Sequence, residues 1–338
     1  MKRFHRGFVM GKFYPLHAGH QNLIRHAQAL CEQVEVHVYE SSVESVPGAV
    51  RADWVRREHP SAVVVLGFDD LPIDFTSAAA WDAHLAITES LLTGPVDAVF
   101  TSDAYGAELA RRLGATWVQV DAGRTQLPVS GTAVRADPAG YWWALPPTVR
   151  EWFCRRVVVL GAESTGSTTL AEDLAGHFGV PVTLEYGREW SEVRPGGPWA
   201  PWASAEFDLI AAEHRRRERQ ALGSSPKPLV ISDTDNLATA VWHERYLEAP
   251  SPTVTAAAAA FPPDLYLLTG DEIAFVQDGW RDGEHIRHTM QQRFREVLAE
   301  QPVPWVELRG SRDQRLARAV ELVDDLLRRG WNLADPHG

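Results

Sequence analysis

The sequence of 338 residues contains two cysteines, Cys31 and Cys154, which are too few for a disulfide framework or a zinc site. It lacks an apolar run long enough to span a membrane, because the alanine-rich stretch 255–260 is far too short. The first residues lack the apolar core of a signal peptide, so we expect a cytoplasmic protein. Positive charge is not in excess either. The net charge of −12 argues against nucleic acid and anionic membranes as partners and favours small-molecule substrates.

The length suits two domains of about 150 residues each. Apolar and helical segments alternate from residue 4 to about residue 145, which predicts a parallel sheet with helices on both faces. Prolines at 146 and 147 break this pattern, and a second series begins with the apolar strand 157–160. We therefore predict an α/β protein with domains in 1–150 and 151–332 and a frayed tail in 333–338.

The most informative segment is 11–20, which reads G-x-F-x-P-x-H-x-G-H. It follows the apolar strand 7–10 and leads into an amphipathic helix, whose free amides and dipole favour an anion. Histidines there can donate hydrogen bonds to phosphate oxygens, and these bonds strengthen as charge builds up in a transition state. Ordinary loop and cap histidines are the alternative. The candidate residues are Gly11, Lys12, Phe13, His17, Gly19 and His20.

Lysine is scarce, with Lys2, Lys12 and Lys227 the only examples, so Lys12 stands out as a phosphate contact. A second segment, 129–135, reads V-S-G-T-A-V-R and resembles the I-S-x-T-x-[IV]-R element. Such a helix start offers the hydroxyls of Ser130 and Thr132 to phosphates, and Arg135 adds a positive fork. Alone it is also a common N-cap sequence.

Together the two segments resemble the nucleotidylyltransferase superfamily of H-x-G-H enzymes. The resemblance implies in-line attack of a phosphate on the α-phosphorus of ATP, with pyrophosphate leaving. Segment 101–106 is similar to the S-S-E-x-Y-G element of adenylyltransferases that act on nicotinamide mononucleotide, which also carry R-x-x-W on a helix. This implies that Arg51, Trp54, Ser102 and Tyr105 contact the mononucleotide. A core position is the alternative for Trp54, because the chain has 13 tryptophans.

In the second domain, segment 161–169 has the spacing of the phosphate-binding loop G-x-x-x-x-G-K-[ST]. Glycines let successive amides cradle phosphates, and a hydroxyl ligates magnesium. Ser167 stands where the lysine belongs, so the side chain that spans the β- and γ-phosphates is missing. A turn that binds nothing is the open alternative. The candidate residues are Gly161, Ser164, Thr165, Gly166, Ser167, Thr168 and Thr169.

Carboxylates follow the apolar strand 229–232. Asp233 is a candidate to hold hydrated Mg²⁺ together with Thr168, or to orient a hydroxyl nucleophile. Arg281 and Arg287 are candidates for the missing positive charge, because arginine clamps phosphate with two donors. Most helix arginines are only solvated.

The order of all these motifs resembles the NadR-type bifunctional proteins of NAD synthesis. The resemblance implies a Rossmann-like nucleotidylyltransferase domain in 1–150, which transfers AMP from ATP to nicotinamide mononucleotide and releases NAD and pyrophosphate. It also implies a P-loop kinase-like α/β domain in 151–332, which phosphorylates nicotinamide riboside with ATP and Mg²⁺. The residues implied around the riboside are Glu185, Tyr186, Arg188 and Asp235.

Two departures from the family leave alternatives open. The chain opens on the first catalytic strand, so we expect neither the helix-turn-helix repressor domain of some relatives nor DNA binding. With Ser167 in place of lysine, the protein could be a monofunctional adenylyltransferase whose second domain is inactive or senses ATP or riboside. A regulatory module with two nucleotide sensor sites is a third hypothesis, but sensors do not need transition-state donors such as His17 and His20. The preference between nicotinamide and nicotinic acid, channelling, and a homo-oligomeric state stay open.

Overall fold

The computed structural model describes residues 2–197, 199–276 and 284–337. The chain divides into two compact units, Met1–Trp152 with Trp331–Gly338, and Phe153–Gly330. The mixed α/β fold that the alternating pattern predicts is confirmed, with one parallel five-stranded sheet in each unit. Within the described residues, no helix is both long and apolar enough to cross a membrane.

The first unit has a parallel sheet in the strand order β3-β2-β1-β4-β5. Its strands are β1 Phe4–Gly11, β2 Cys31–Glu40, β3 Val63–Phe68, β4 Ala98–Thr101 and β5 Thr116–Gln119. Its helices are α1 Ala18–Leu30, α2 Gly48–Glu58, α3 Ala78–Leu91, α4 Gly106–Leu113, α5 Gly131–Ala136 and α6 Pro147–Phe153. Strand β1 is central and is buried through Phe8 and Val9, which explains its apolar sequence. Strands β2 and β3 are added on one side of β1, and β4 and β5 are added on the other side. Sheets of this kind bind ligands at the carboxyl ends of the strands where the order changes side, which here is the end of β1.

The second unit also has a parallel five-stranded sheet, with the strand order β10-β9-β6-β8-β7. Its strands are β6 Arg155–Leu160, β7 Val182–Thr183, β8 Leu229–Asp233, β9 Leu265–Thr269 and β10 Trp305–Leu308. Its helices are α7 Ser167–Phe178, α8 Tyr186–Val193, α9 Ser204–Ser224, α10 Asn236–Leu247, α11 Pro252–Ala259, α12 Arg287–Ala299 and α13 Arg312–Arg328. Leu174 and Val323 pack with Val157, Val159 and Ile231 of the sheet in one apolar core. The central strand is β6, and segment 161–169 begins where it ends.

The segment after α13 differs from the expectation of a frayed tail. It groups with the first unit, and the hydroxyl of Tyr14 donates a hydrogen bond to the carbonyl of Ala334 at 2.9 Å. The Ala334 amide in turn donates to Oγ of Ser45 at 2.8 Å. These contacts could not be predicted from the sequence, because they are made by the backbone of a short segment and the backbone of any residue can form such hydrogen bonds.

Candidate active sites

The two histidines of the first motif lie together at the start of α1. His17 is the N-cap, and its Nδ1 accepts a hydrogen bond from the Gly19 amide at 3.2 Å. The rings of His17 and His20 stack with centroids 3.8 Å apart and an interplanar angle of 22°. A methyl group on Gly19 would lie 3.1 Å from His17 Cε1, so glycine permits this packing. The structure therefore brings both predicted histidines to one helix terminus.

Both imidazoles are neutral at pH 7. Burial lowers the pKa of His20 to about 4, and the charge of Arg124 lowers it further. Burial also lowers the pKa of His17 well below its ordinary value, with His20 as the next cause. Because Nδ1 of His17 accepts a bond, its proton is on Nε2, which is then a donor. Nδ1 of His20 is buried and has no hydrogen-bond partner among the residues that the structure describes.

A buried carboxylate holds the cations beside these histidines. Glu44 accepts hydrogen bonds from the amide and the hydroxyl of Ser41, both at 2.6 Å, and lies 3.2 Å from Nζ of Lys12. Burial by itself would raise the pKa of Glu44, but the bonds from Ser41 and Lys12 and the charge of Arg51 leave it lowered. The carboxylate therefore stays ionised and fixes the position of Lys12.

Helix α5 brings the second predicted segment onto the histidine motif (Gly11–His20). Arg135 donates to the carbonyl of Tyr14 at 3.0 Å and to Oγ1 of Thr132 at 3.3 Å. Ser130 is the N-cap of α5 and accepts from the Ala133 amide at 3.1 Å. Arg135 thus contacts the motif that contains Lys12, while the Ser130 oxygen already has a structural partner.

Arg51 and Trp54, predicted to contact the mononucleotide, are both buried on α2. Arg51 is fully buried, and its guanidinium donates to the carbonyls of Lys12, Val46 and Tyr39 while it pairs with Glu44. Because the Arg51 guanidinium donates to these carbonyls, it holds the turn that carries Lys12 in place.

Trp54 is 2% exposed and meets Trp152 edge to face, with centroids 6.2 Å apart. The alternative reading, a core tryptophan, is the one that the structure supports. A sequence cannot distinguish these roles, because buried and ligand-facing residues share the same helical spacing.

A cavity of about 190 Å³, the aromatic cavity, lies next to the motif residues Gly11 and Lys12. The predicted Tyr105 lines it, and its ring stacks on Phe75 at 5.5 Å and 10°. The further lining residues are Met10, Tyr39, Asp69, Leu71, Ile73, Asp74, Trp81, His84, Leu85, Thr88 and Leu109. Ser102 is not in this lining, and its carbonyl accepts from Gln119 Nε2 at 3.1 Å. Phe75 and Trp81 were not predicted, because no motif marks the loop before α3 or the first turn of α3.

In the second unit, the glycine loop (residues 161–169) joins β6 to α7. Gly166 is the N-cap of α7 with φ 85°, a conformation that favours glycine. A methyl group on Gly161 would lie 2.4 Å from Oγ1 of both Thr165 and Thr269, so that position has no room for a side chain. The same two hydroxyl oxygens are 2.7 Å apart and buried, which fixes the loop against β9.

The position without a lysine is tied to a carboxylate. Hydroxyls of Thr168 and Ser167 both hydrogen-bond to Asp233, which is buried at the end of β8. Burial is the largest effect on Asp233 and raises its pKa despite these bonds. Thr168 and Asp233, predicted as a magnesium pair, are thus brought together. Among the described residues no group of three metal-ligating side chains exists, and Mg²⁺ commonly needs only one or two protein carboxylates besides substrate phosphates.

Two arginines hold the glycine loop from α12 and α13. Arg287 donates to the carbonyls of Ser164 at 2.9 Å and Ile273 at 2.8 Å. Arg315, which the sequence analysis missed, donates to the carbonyl of Thr165 at 2.7 Å and pairs with Glu272 at 2.7 Å. Arg281, the other predicted arginine, lies outside the described residues.

A second cavity of about 340 Å³, the tryptophan cavity, opens beside the glycine loop. Glu185 and Arg188 line it as predicted, and burial followed by the charge of Asp233 raises the pKa of Glu185 to about 7. The other lining residues are Glu163, Gly187, Ser191, Glu192, Trp199, Ala200, Trp202, Phe207, Ile210, His214, Thr234, Thr239, Trp242 and Tyr246. Its size and aromatic walls suit a nucleoside.

Two predicted riboside residues are placed elsewhere. Tyr186 lies under the guanidinium of Arg217, 4.5 Å from the ring centroid. Asp235 caps α10 by accepting from the amides of Leu237 and Ala238, and its other oxygen accepts from the Tyr266 hydroxyl at 2.9 Å. Asp235 therefore has a structural role, which is a common use of an aspartate directly before a helix.

Comparison with known proteins decides the family. Residues 156–315, from β6 to the first turn of α13, match the AAA domain family. The trifunctional NAD biosynthesis/regulator protein NadR of Escherichia coli (strain K12) is 30% identical over 345 residues, covering 95% of this chain and 83% of that protein. The chain belongs to the NadR family. The NadR protein of Salmonella typhimurium (strain LT2) is 29% identical over the same shares of both chains.

Crystal structures of NadR proteins share the fold. One, in complex with NR, has a TM-score of 0.71 and 24% identity and covers 96% of both chains. Another, in complex with NAD and AMP-PNP, has a TM-score of 0.67 and 22% identity and covers 99% of this chain and all of that one. The resemblance to NadR-type proteins of NAD biosynthesis, drawn from the order of the motifs, is confirmed.

In this member of the NadR family, Ser167 stands where the phosphate-binding loop motif has a lysine. Ser167 leaves the loop without the lysine that neutralises phosphate charge in a phosphate-binding loop. Among the described residues, Arg287 and Arg315, each almost fully buried, donate to loop carbonyls, and Arg245 pairs with Glu163 of the loop at 2.8 Å. Because Arg287 and Arg315 donate to loop carbonyls, they fix the backbone of the loop.

Proposed function

We propose that the first unit transfers AMP from ATP to nicotinamide mononucleotide, giving NAD and pyrophosphate. The observation that carries this proposal is the stacked pair of neutral imidazoles, His17 and His20, at the start of α1. Their position at the carboxyl end of the central strand, with Lys12 and Arg135 beside them, is the arrangement a triphosphate requires.

In the proposed reaction, a phosphate oxygen of the mononucleotide attacks the α-phosphorus of ATP. The new P–O bond forms as the bond to the bridging oxygen of the pyrophosphate breaks, and that oxygen keeps the electron pair. Negative charge grows on the oxygens around the α-phosphorus, where the N–H donors of His17 and His20 stabilise it. Neutral imidazoles are suited to this role because no proton has to be transferred. Lys12 and Arg135 hold the phosphates in place.

The aromatic cavity supports a pyridine nucleotide as the acceptor. The nicotinamide ring of the mononucleotide is a planar pyridinium cation, which binds favourably to aromatic faces and carboxylates. Phe75, Trp81 and Tyr105 supply the rings, and Asp69 and Asp74 supply negative charge in the same lining. Because Gly11 and Lys12 line this cavity too, a ring bound there would direct its phosphate toward the histidine motif.

For the second unit we propose phosphorylation of nicotinamide riboside by ATP. The tryptophan cavity would hold the riboside, and Thr168 and Asp233 would hold Mg²⁺, which supplies charge neutralisation to the phosphates when it is bound. Glu185, with a pKa near 7, is suited to accept the proton of the 5′-hydroxyl. The NadR crystal structure in complex with NR supports this ligand class.

A second candidate function for this unit is binding of ATP and riboside without turnover. Ser167 favours it, because its hydroxyl bonds to Asp233 and no lysine reaches toward the phosphates. On this alternative the protein would be a monofunctional adenylyltransferase.

One assay separates these proposals. Purified protein is incubated with magnesium ATP and either the mononucleotide or the riboside, and the products are separated by chromatography. NAD from both substrates supports both activities, whereas NAD from the mononucleotide alone supports the inactive second unit. No NAD from either refutes the adenylyltransferase. His20→Ala should abolish adenylation and leave riboside phosphorylation intact, with His26→Ala on the exposed face of α1 as the matched control.

A further inference from the structure

The segment Ala334–His337 lies along the histidine motif of the first unit. The hydroxyl of Tyr14 donates to the carbonyl of Ala334 at 2.9 Å, and Nζ of Lys12 donates to the carbonyl of His337 at 3.0 Å. The Ala334 amide donates to Oγ of Ser45 at 2.8 Å. Two of these hydrogen bonds fix the backbone of this segment on the histidine motif, which we assign to ATP, and the third fixes it on Ser45.

Two side chains of the same segment contact other residues of the first unit. The Asp335 carboxylate lies 3.7 Å from Nη2 of Arg135, and Nε2 of His337 lies 3.2 Å from Oδ1 of Asp70. Arg135 and Lys12 are the two cations that we assign to the phosphates of ATP. A carboxylate and a carbonyl oxygen therefore interact with the groups that a triphosphate would need.

We propose that Ala334–His337 is an autoinhibitory strap, which competes with the triphosphate of ATP for Lys12 and Arg135. This inference rests on the proposed adenylyltransferase function of the first unit. The strap is bound in most molecules when no nucleotide is present, and ATP displaces it from both cations on binding. The strap thereby sets the apparent affinity of the site for ATP.

The contacts of the strap are weak enough to be exchanged. The Asp335 side chain is 90% exposed, and exposed ion pairs contribute little stability. Each neutral hydrogen bond contributes modestly because water replaces it when the strap leaves. A triphosphate carries several negative charges to the same cations and outcompetes a single carboxylate. If the strap is bound in about five of six molecules, the apparent affinity for ATP falls about sixfold.

The test compares two variants with a matched control. A chain that ends after residue 332 lacks the strap, and Asp335→Asn keeps it without the competing charge. Asp53→Asn makes the same charge change on α2, where Asp53 is 58% exposed and pairs only distantly with Arg57 at 3.9 Å. The KM for ATP is measured from NAD formation at saturating mononucleotide, because on our proposal the second unit makes no NAD.

We expect the shortened chain to lower the KM for ATP roughly two- to tenfold, and Asp335→Asn to lower it by up to about twofold. The control should leave it unchanged. An equal or higher KM in the shortened chain would overturn the strap, because the segment would then be neutral or part of the substrate site.

A second readout does not depend on turnover. A fluorophore attached to Pro336→Cys reports the surroundings of the strap, and the two native cysteines are buried. Inorganic tripolyphosphate should shift its emission toward that of a freely exposed dye. No shift at saturating tripolyphosphate would overturn the strap. If no variant forms NAD, the proposed function fails, while the dye still decides the strap.

Discussion

Acid should destabilise the first unit through His20, whose pKa of about 4 in the folded chain lies below its ordinary value of 6.5. At pH 7.5 His20 is neutral in both the folded and the unfolded states, so its protonation does not change the free energy of unfolding. As the pH falls through 6.5 the unfolded chain takes up a proton and the folded chain does not, so stability is lost. The loss ends near the folded pKa.

The size of this effect follows from the two pKa values. Each pKa unit corresponds to about 1.4 kcal/mol. Between pH 7.5 and pH 5 the unfolding free energy should therefore fall by about 2 kcal/mol on account of His20, and by about 3 kcal/mol at pH 4. His17 contributes in the same direction, because burial lowers its pKa too.

His20→Gln removes this titration and keeps a polar side chain of similar reach. Because the two units need not unfold together, hydrogen exchange of peptides spanning β1 and α1 in increasing urea should be used to report the first unit by itself. The stability difference between the wild type and the variant should move in favour of the variant by about 2 kcal/mol from pH 7.5 to pH 5.

His26→Gln on the same helix is the control, since His26 is exposed. If the difference in unfolding free energy between the wild type and His20→Gln does not change with pH, the prediction is wrong, because His20 would then have the same pKa in the folded and unfolded chains. An NMR titration of the histidine ring nitrogens, with the missing signal of His20→Gln as the assignment, would give the pKa directly.

Further predictions concern both units. His17→Ala should lower the kcat of NAD formation about 100- to 1000-fold, measured at saturating substrates. Phe75→Ala should raise the KM for mononucleotide about tenfold with little change in kcat, since the ring binds substrate and transition state alike. Arg51→Ala should lower the unfolding free energy by about 3–5 kcal/mol in urea, because buried Glu44 would lose one of its two cationic partners and three backbone carbonyls would lose their donor. Riboside phosphorylation should rise with pH through about 7 as Glu185 ionises, and Glu185→Gln should abolish that rise.

Each of these has a contrary outcome. Arg51→Ala with normal stability but a raised KM for mononucleotide would restore the ligand role that its motif implied. A flat pH profile for riboside phosphorylation in the wild type would exclude Glu185 as the proton acceptor. Unchanged KM in Phe75→Ala would place the pyridine ring outside the aromatic cavity.

Local patterns predicted the features that depend on neighbours in sequence. The alternation of apolar and helical segments determined both parallel sheets. The glycine and histidine spacing placed His17 and His20 at the start of α1 because a strand, a turn and a helix follow within 20 residues. The pair Thr168 and Asp233 was also predictable, since Thr168 lies after the loop that follows β6, Asp233 ends the neighbouring strand β8, and the carboxyl ends of parallel strands meet.

Tertiary structure alone decided which polar residues serve the site and which support it. Arg51 and Asp235 carry the residue types of ligands, yet burial commits the first to backbone carbonyls and the second to a helix cap. Phe75 and Arg315 reach their sites from segments without a motif, and the strap reaches Lys12 across 325 positions of sequence. Sequence records residue types and short-range spacing, whereas burial and long-range contacts arise only when the chain packs.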